Sequence, residues 1–198
     1  MTTAVSFGVE EIRLGPGSHV CAFYRGAADR DRLLTGYLSA GLEAGDKCIC
    51  VVDSARTAQR LTMLAAPPAH DTQLDIHLPE ATYLAGGRFG TAEMLTFWSE
   101  CLDKAQTEGY GFSRIVGEMT WALRDAPGVE HLVDYEWELN RLMGRNPTVV
   151  LCLYDLDLFN GEVVVNIVKT HPLVFIQGML VENPYYVGPD EVLHATGT

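Results

Sequence analysis

Four continuously apolar runs constrain this chain more than any other feature: His19-Val20-Cys21-Ala22-Phe23-Tyr24, Lys47-Cys48-Ile49-Cys50-Val51-Val52, Arg114–Met119 and Thr148–Tyr154. None alternates apolar with polar, so each describes a strand buried on both faces, the condition of a sheet flanked by helices on either side. Between the runs the apolar period changes. Leu33, Leu34, Tyr37, Leu38 and Leu42 recur at helical spacing toward a stop near Gly41 or Gly45, after a polar loop over Arg25–Asp31. Ala55–Leu64 reads as a helix ended by Pro67-Pro68. Met94, Leu95, Phe97, Trp98, Cys101 and Leu102 mark an amphipathic helix over Thr91–Gln106, started by Thr91, and Val129–Met143 marks another. Strands alternating with helices in this rhythm predict an α/β fold, a three-layer, mostly parallel sheet flanked by helices.

The remaining segments fit one domain over residues 1–198. Residues 1–18 are a lead-in closed by the turn cluster Gly15-Pro16-Gly17-Ser18. Leu74–Leu78 alternates as a half-exposed strand. Glu162–Val168, with three consecutive valines, reads as a strand, and a last strand lies around Leu173–Met179. The tail from Gly188 is expected to be loose.

A formal charge of −12 argues against direct contact with nucleic acid or with an anionic membrane, because both need clustered lysine and arginine. The chain lacks a run of roughly 18 apolar residues of the kind a transmembrane helix needs, and its first residues lack a signal-peptide pattern. Five cysteines, an odd set lying mostly in apolar strands, suit reduced thiols. These points together lead us to expect a cytoplasmic protein.

Ligands of open α/β sheets bind at the carboxyl ends of the strands. Here that edge collects Tyr24 and Arg25, then Asp53, then Glu118, Thr120 and Trp121 of the segment Gly117–Leu123, and finally Tyr154 and Asp155. Apolar walls with a few convergent polar groups are the usual makeup of a small-molecule pocket. Tyr24, Trp121 and Tyr154 would be the walls, and Arg25, Glu118 and Asp155 would fix orientation. Three roles compete for Glu118: general base, ligand acceptor, or partner of a buried arginine such as Arg114 or Arg25. His19, Cys21 and His171 are secondary candidates. Cys48 and Cys50 share a strand face, as do His19 and Cys21, yet zinc sites usually draw on loop cysteines at C-x₂₋₄-C spacing. Structural thiols are the commoner outcome, so no metal and no cofactor is expected. Neither a GxSxG motif nor paired carboxylates at catalytic spacing accompany Glu118, so no catalytic residue is assigned. Residues 25–32, Arg-Gly-Ala-Ala-Asp-Arg-Asp-Arg, follow the first core strand where a phosphate loop would lie, but lack GxxxxGK[ST] and carry two aspartates.

Several of these segments together resemble one family. They are His19–Tyr24, Tyr37–Cys48, Gly117–Leu123, Leu153-Tyr154-Asp155 and His171-Pro172, and the resemblance, to the MEDS (methanogen/methylotroph DcmR sensory) domain, runs over about residues 16–187. It implies a RecA/KaiC-like scaffold in which Arg25–Arg32 takes the phosphate-loop position and Arg114–Glu118 that of the Walker B strand. It further implies a sensor of small organic molecules that works with a regulatory partner: a DNA-binding, anti-sigma or histidine-kinase-like module. Self-association is compatible with this reading. The alternatives are a residual ATP-binding KaiC-like domain and a protein-interaction scaffold in a partner-switching pathway.

Overall fold

The computed structural model describes residues 4–9, 11–63 and 72–188. Seven strands form one sheet in the order β5-β4-β6-β7-β3-β8-β9. Its centre is built from β3 (His19–Tyr24), β4 (Lys47–Val51), β6 (Ser113–Glu118) and β7 (Thr148–Asp155). All four are buried along their whole length, as continuous apolar runs require when both faces are covered. β5 (Leu74–His77) pairs parallel to β4, and β8 (Leu173–Ile176) pairs parallel to β3. β9 (Met179–Glu182) turns back antiparallel on β8 through Gln177 and Gly178, both with positive φ, the conformation a tight hairpin needs. The last strand read from the sequence is therefore two strands.

Helices cover both faces. On one, α1 (Gly26–Ala44) buries Leu33, Leu34, Tyr37, Leu38 and Leu42, and α2 (Ala55–Thr62) buries Leu61. On the other, α3 (Thr91–Thr107), α4 (Leu132–Met143) and α5 (Gly161–Thr170) contribute Met94, Trp98, Leu102, Tyr135, Leu139, Met143 and Ile167. The three-layer α/β architecture expected from the apolar runs is what forms. The lead-in is ordered as a small hairpin, β1 (Val5–Ser6) with β2 (Arg13–Leu14), packed on α1.

Two local readings need correction. Glu162–Val168 is not a strand but lies within α5. Asn160 caps that helix by accepting from the Val163 amide at 3.0 Å, and a parallel β8 after β7 needs a helical crossover. Three β-branched valines favour strand only weakly against that tertiary requirement. The polar loop at Arg25–Asp31 is also helix from Gly26 onward, leaving Arg25 alone between β3 and α1. The helix read from Thr91 does begin there, as α3, with Gly90 in the capping position before it. Leu64, Pro67-Pro68 and the tail beyond Gly188 lie outside the described residues.

Candidate functional site

The strand ends meet at one edge as expected, but the sheet divides them between two faces. Along β3, Tyr24 points to the α1 side, whereas Phe23 points to the α3–α5 side; along β7, Tyr154 joins Phe23. Residues predicted to line one pocket therefore belong to two separate environments.

On the α1 side, Tyr24, Asp53, Glu118 and Asp155 gather at the end of the sheet. Burial, reinforced by the nearby carboxylates of Glu118 and Asp155, pushes the Tyr24 phenol up, so it stays protonated. Glu118 accepts from the Asp53 amide at 2.9 Å and from Arg30 at 3.1 Å. Its partner is thus Arg30, not Arg114 or Arg25. Burial still raises the Glu118 carboxyl above its ordinary value, against the opposing pull of the Asp53 amide and the Arg30 guanidinium. Arg30 also donates to Asp31 at 2.8 Å, and Asp31 in turn pairs with Arg60 of α2. This chain, Glu118–Arg30–Asp31–Arg60, runs from the sheet edge across α1 to α2. Arg30, Asp31 and Arg60 were not singled out from the sequence; the charge-dense stretch at 25–32 signalled the first two, and Arg60 lies apart in α2.

Arg25 stands exposed and pairs with Asp157. Its amide donates to Asp29 at 3.2 Å, so an aspartate of the chain itself takes a donor at the start of α1. Asp53 pairs with Arg124 at 2.5 Å, and Asp155 accepts the Asp157 amide at 3.0 Å. Arg114 lies at the opposite end of the sheet, fully buried, and donates to Asp46 at 2.7 Å and to the Ser6 carbonyl at 2.6 Å. Between α1 and α2 a cavity of about 120 Å³ is lined by Asp31, Thr35, Thr57, Arg60 and Leu61. It shares Asp31, Thr35 and Arg60 with a broader groove of about 530 Å³ reaching Gly8, Val9 and Gly36.

On the other face, Trp121 and Tyr154 are core residues rather than pocket walls. Trp121 is fully buried and stacks on Tyr83 at 4.4 Å, with Phe89 at 4.7 Å. The Thr120 hydroxyl is buried with no hydrogen-bond partner among the described residues. Tyr154 donates to Glu136 of α4 at 2.5 Å.

Glu136 centres the second constellation. His19 Nε2 lies 3.3 Å and His171 Nε2 3.5 Å from Glu136 Oε2, with Cys152 Sγ at 3.8 Å from the same oxygen and 3.2 Å from His19 Nε2. A ligand-capable atom of each of the four lies within 4.8 Å of the others, and all four residues are buried. Burial would push the Glu136 carboxyl up, but the imidazoles of His171 and His19 and the Tyr154 hydroxyl outweigh it and hold the acid below its ordinary value. His171 is pushed down to about 3, by burial first and by neighbouring His19 second. His19 Nδ1 meets Asn140 Oδ1 at 3.1 Å, so Cys152, His19 and Asn140 line up in the order of a thiol hydrolase. Burial and the Glu136 charge push the Cys152 thiol well up, the reverse of an activated nucleophile, and the site is sealed.

His19 and His171, secondary candidates by sequence, thus come together, while Cys21 stands beside Cys152 in strand register. Cys48 and Cys50 lie on the opposite face, on a strand separated from β3 by β6 and β7. Glu136 and Cys152 were missed. Their signal was legible: Glu136 sits in the apolar stripe Leu132, Leu139, Met143, and Cys152 is two residues before Tyr154 on one strand face.

The fold places the molecule in the class of KaiC-like α/β domains. The KaiC-like protein PH0186 from Pyrococcus horikoshii OT3 matches with a TM-score of 0.62 at 12% identity, over 88% of this chain and 80% of that one. An ATPase from the type III secretion system of pathogenic bacteria matches at 0.60 and 11%, over 98% and 66%. At such identities the likeness shows the fold alone. Sequence settles the family: residues 18–172 match the MEthanogen/methylotroph, DcmR Sensory domain, MEDS, and the chain belongs to that family. Among curated relatives, the transcriptional repressor DcmR of Methylorubrum extorquens is 32% identical over 156 residues, 77% of this chain. The chain spans 57% of that repressor's length.

Proposed function

We propose that this MEDS sensory domain binds a small organic molecule in the cleft between α1 and α2 and carries out no chemistry on it. The observation that carries the reading is the junction between β3 and α1. A phosphate loop wraps its anion in several residues of glycine-rich backbone, whereas here Arg25 alone separates strand from helix. The space beside it holds the Glu118–Arg30–Asp31–Arg60 chain. Charges already paired in this way offer polar groups to a small neutral or cationic ligand, while the carboxylates occupy the two arginines that a triphosphate would need.

Such a ligand would compete for Asp31 or Arg60 and loosen α2 from α1. The change would register with a regulatory module, a DNA-binding, anti-sigma or kinase-like partner in the cytoplasm, because only differential affinity for two states transmits a signal. Among the described residues no helix is long and apolar enough to cross a membrane. Relatedness to a protein named as a repressor supports the regulatory setting.

Thermal-shift screening of the chain against small alcohols, aldehydes, haloalkanes, amines and magnesium-ATP tests the proposal. Stabilisation by an organic compound, lost in Arg60→Ala and Thr57→Val, is the expected result. Stabilisation by magnesium-ATP with measurable hydrolysis would overturn it in favour of a working ATPase.

A further inference from the structure

We propose that His19, Glu136, Cys152 and His171 form a four-ligand site for a divalent first-row transition metal, with zinc the best match. The site lies on the opposite face of the sheet from the α1–α2 cleft and stands independently of the ligand reading above. It replaces the expectation that the thiols of this chain are purely structural, for Cys152 alone.

The tautomers carry the argument. Asn140 spends its amide hydrogens on the Glu136 and Thr170 carbonyls, at 2.9 and 2.8 Å, so the atom it turns to His19 is its oxygen. His19 must donate to that oxygen through Nδ1, which in the neutral ring leaves Nε2 a lone pair. Nδ1 of His171 meets the Ile167 carbonyl and the Thr170 hydroxyl, each at 2.9 Å; that hydroxyl gives its hydrogen to the same carbonyl at 2.8 Å, so Nδ1 is the protonated nitrogen and Nε2 is again the bare one. Both bare nitrogens converge on Glu136 Oε2, itself an acceptor, at 3.3 and 3.5 Å. His171 Nε2 is fully buried without a hydrogen-bond partner among the described residues. The Cys152 thiol has one hydrogen, for His19 Nε2 at 3.2 Å or for Glu136 at 3.8 Å, which leaves His171 Nε2 and Glu136 Oε2 as acceptor facing acceptor, a repulsion that a cation between them relieves.

The geometry suits a metal. Zinc at about 2.0–2.3 Å from nitrogen, oxygen and sulfur ligands spaces them about 3.3–3.7 Å apart along a tetrahedron's edges. The separations in the structure are 3.2 Å from His19 to Cys152, 3.3 Å from His19 to Glu136, 3.5 Å from His171 to Glu136 and 3.8 Å from Cys152 to Glu136. Each histidine hands its other nitrogen to an oxygen, and Tyr154 donates to the second oxygen of Glu136, the outer-shell pattern that orients metal ligands. Charge balances as well. The Cys152 thiol gives up its proton to solvent as the sulfur–metal bond forms, so a dication meets one thiolate and one carboxylate, and the buried site becomes neutral. Burial and the Glu136 charge oppose that ionisation in the absence of metal; a bound dication reverses the balance. With four protein ligands and no exposed face, the site would hold α4 and the β8-proximal end of α5 to the sheet rather than act on a substrate.

The test loads the full chain with zinc or, separately, with cobalt, removes free ion by desalting, and measures metal content and absorption. About one metal per chain is expected, with cobalt showing the visible bands of a tetrahedral site and a thiolate-to-cobalt charge-transfer band. Cys152→Ser should abolish the charge-transfer band, whereas Cys48→Ser, on the other face, should retain it. Asn140→Ala should weaken zinc binding about 10–100-fold while keeping the thiolate band, as for an outer-shell residue. Failure of the wild-type chain to retain stoichiometric metal, or a thiolate band that survives Cys152→Ser, would overturn the proposal. Should Cys152→Ser not fold, X-ray absorption of the zinc-loaded wild type decides: one sulfur among nitrogen and oxygen neighbours supports the site, and a shell without sulfur refutes it. His19 found protonated on both nitrogens in the zinc-treated chain would show a histidine–glutamate ion pair instead, and would also refute it.

Discussion

Tyr24 and Tyr154 end neighbouring strands one register step apart, Tyr24 opposite Asp155 and Tyr154 opposite Phe23, and they face opposite sides of the sheet. The step of one residue decides everything downstream. It puts Tyr24 among the charges of the α1 edge and Tyr154 against a buried glutamate.

The two tyrosines should therefore respond differently to loss of the hydroxyl. Tyr154→Phe removes a buried hydrogen bond to a carboxylate and is expected to cost about 1.5–3 kcal/mol of stability. Tyr24→Phe, for which hydroxyl packing rather than a strong bond is at stake, should stay within about 0.5 kcal/mol. Urea denaturation of both variants checks this, and equal losses would contradict the division of faces.

Glu118 discriminates between charge and hydrogen bonding at the sheet edge. Glu118→Ala strips the Asp53 amide and Arg30 of an acceptor in a buried setting and is expected to cost about 3 kcal/mol or more. Glu118→Gln keeps the shape and one acceptor, but Arg30 meets Oε1 and the Asp53 amide meets Oε2, so its NH2 turns a donor toward one of them; with Asp31 still balancing Arg30, the loss should be smaller than for alanine but not vanish. Denaturation midpoints of the two variants at neutral pH make the comparison.

Asp31 gives the edge an acid sensitivity. Burial alone would push its carboxyl up, but hydrogen bonds from Arg30 and Arg60 hold it below its ordinary value of 3.8. A depressed carboxyl contributes stability that is fully present above the ordinary value and lost as pH falls through the lower folded one. The gap in stability between wild type and Asp31→Asn should therefore be constant near neutrality and shrink below about pH 4. Calorimetric melting of both proteins across that range measures it. A gap that widened on acidification would mean the two arginines do not stabilise the anion. Arg60→Ala should cost no more than about 1 kcal/mol, because that guanidinium is largely exposed.

Gly36 sets helix propensity against close packing. In a free helix, alanine for glycine stabilises by about 1 kcal/mol. Here a Cβ at position 36 would lie 2.6 Å from the Gly8 carbonyl oxygen and 2.9 Å from a Val9 methyl. Gly8 has φ +82 and meets Gly36 just as closely in return, so neither backbone can yield without lifting the hairpin from α1. Gly36→Ala is expected to destabilise by about 1–3 kcal/mol, the usual cost of overpacking. A stabilising effect in thermal melts would show that the hairpin is not held there.

Much of the architecture was legible because burial on both faces leaves a continuous apolar record. His19–Tyr24, Lys47–Val51, Ser113–Glu118 and Thr148–Asp155 all appear as strands close to where their runs lie. Glu162–Val168 failed because three valines speak only for local preference, whereas the parallel pairing of β8 with β3 demands a helix between distant strand ends. The edge residues were legible as a set and misread as a single pocket. Period two sorts residues within one strand, but it carries no information on which residue of the next strand stands opposite.

The sequence by itself determined the four central strands, most of their helical cover and the inventory of groups at the strand ends. Only the tertiary structure decided which of those groups meet. Arg30 reaches Glu118 across 88 positions, and His19, Glu136, Cys152 and His171 converge from β3, α4, β7 and the end of α5. Such meetings depend on strand order and register, which are fixed by the packing of the whole core and leave no local trace in the chain.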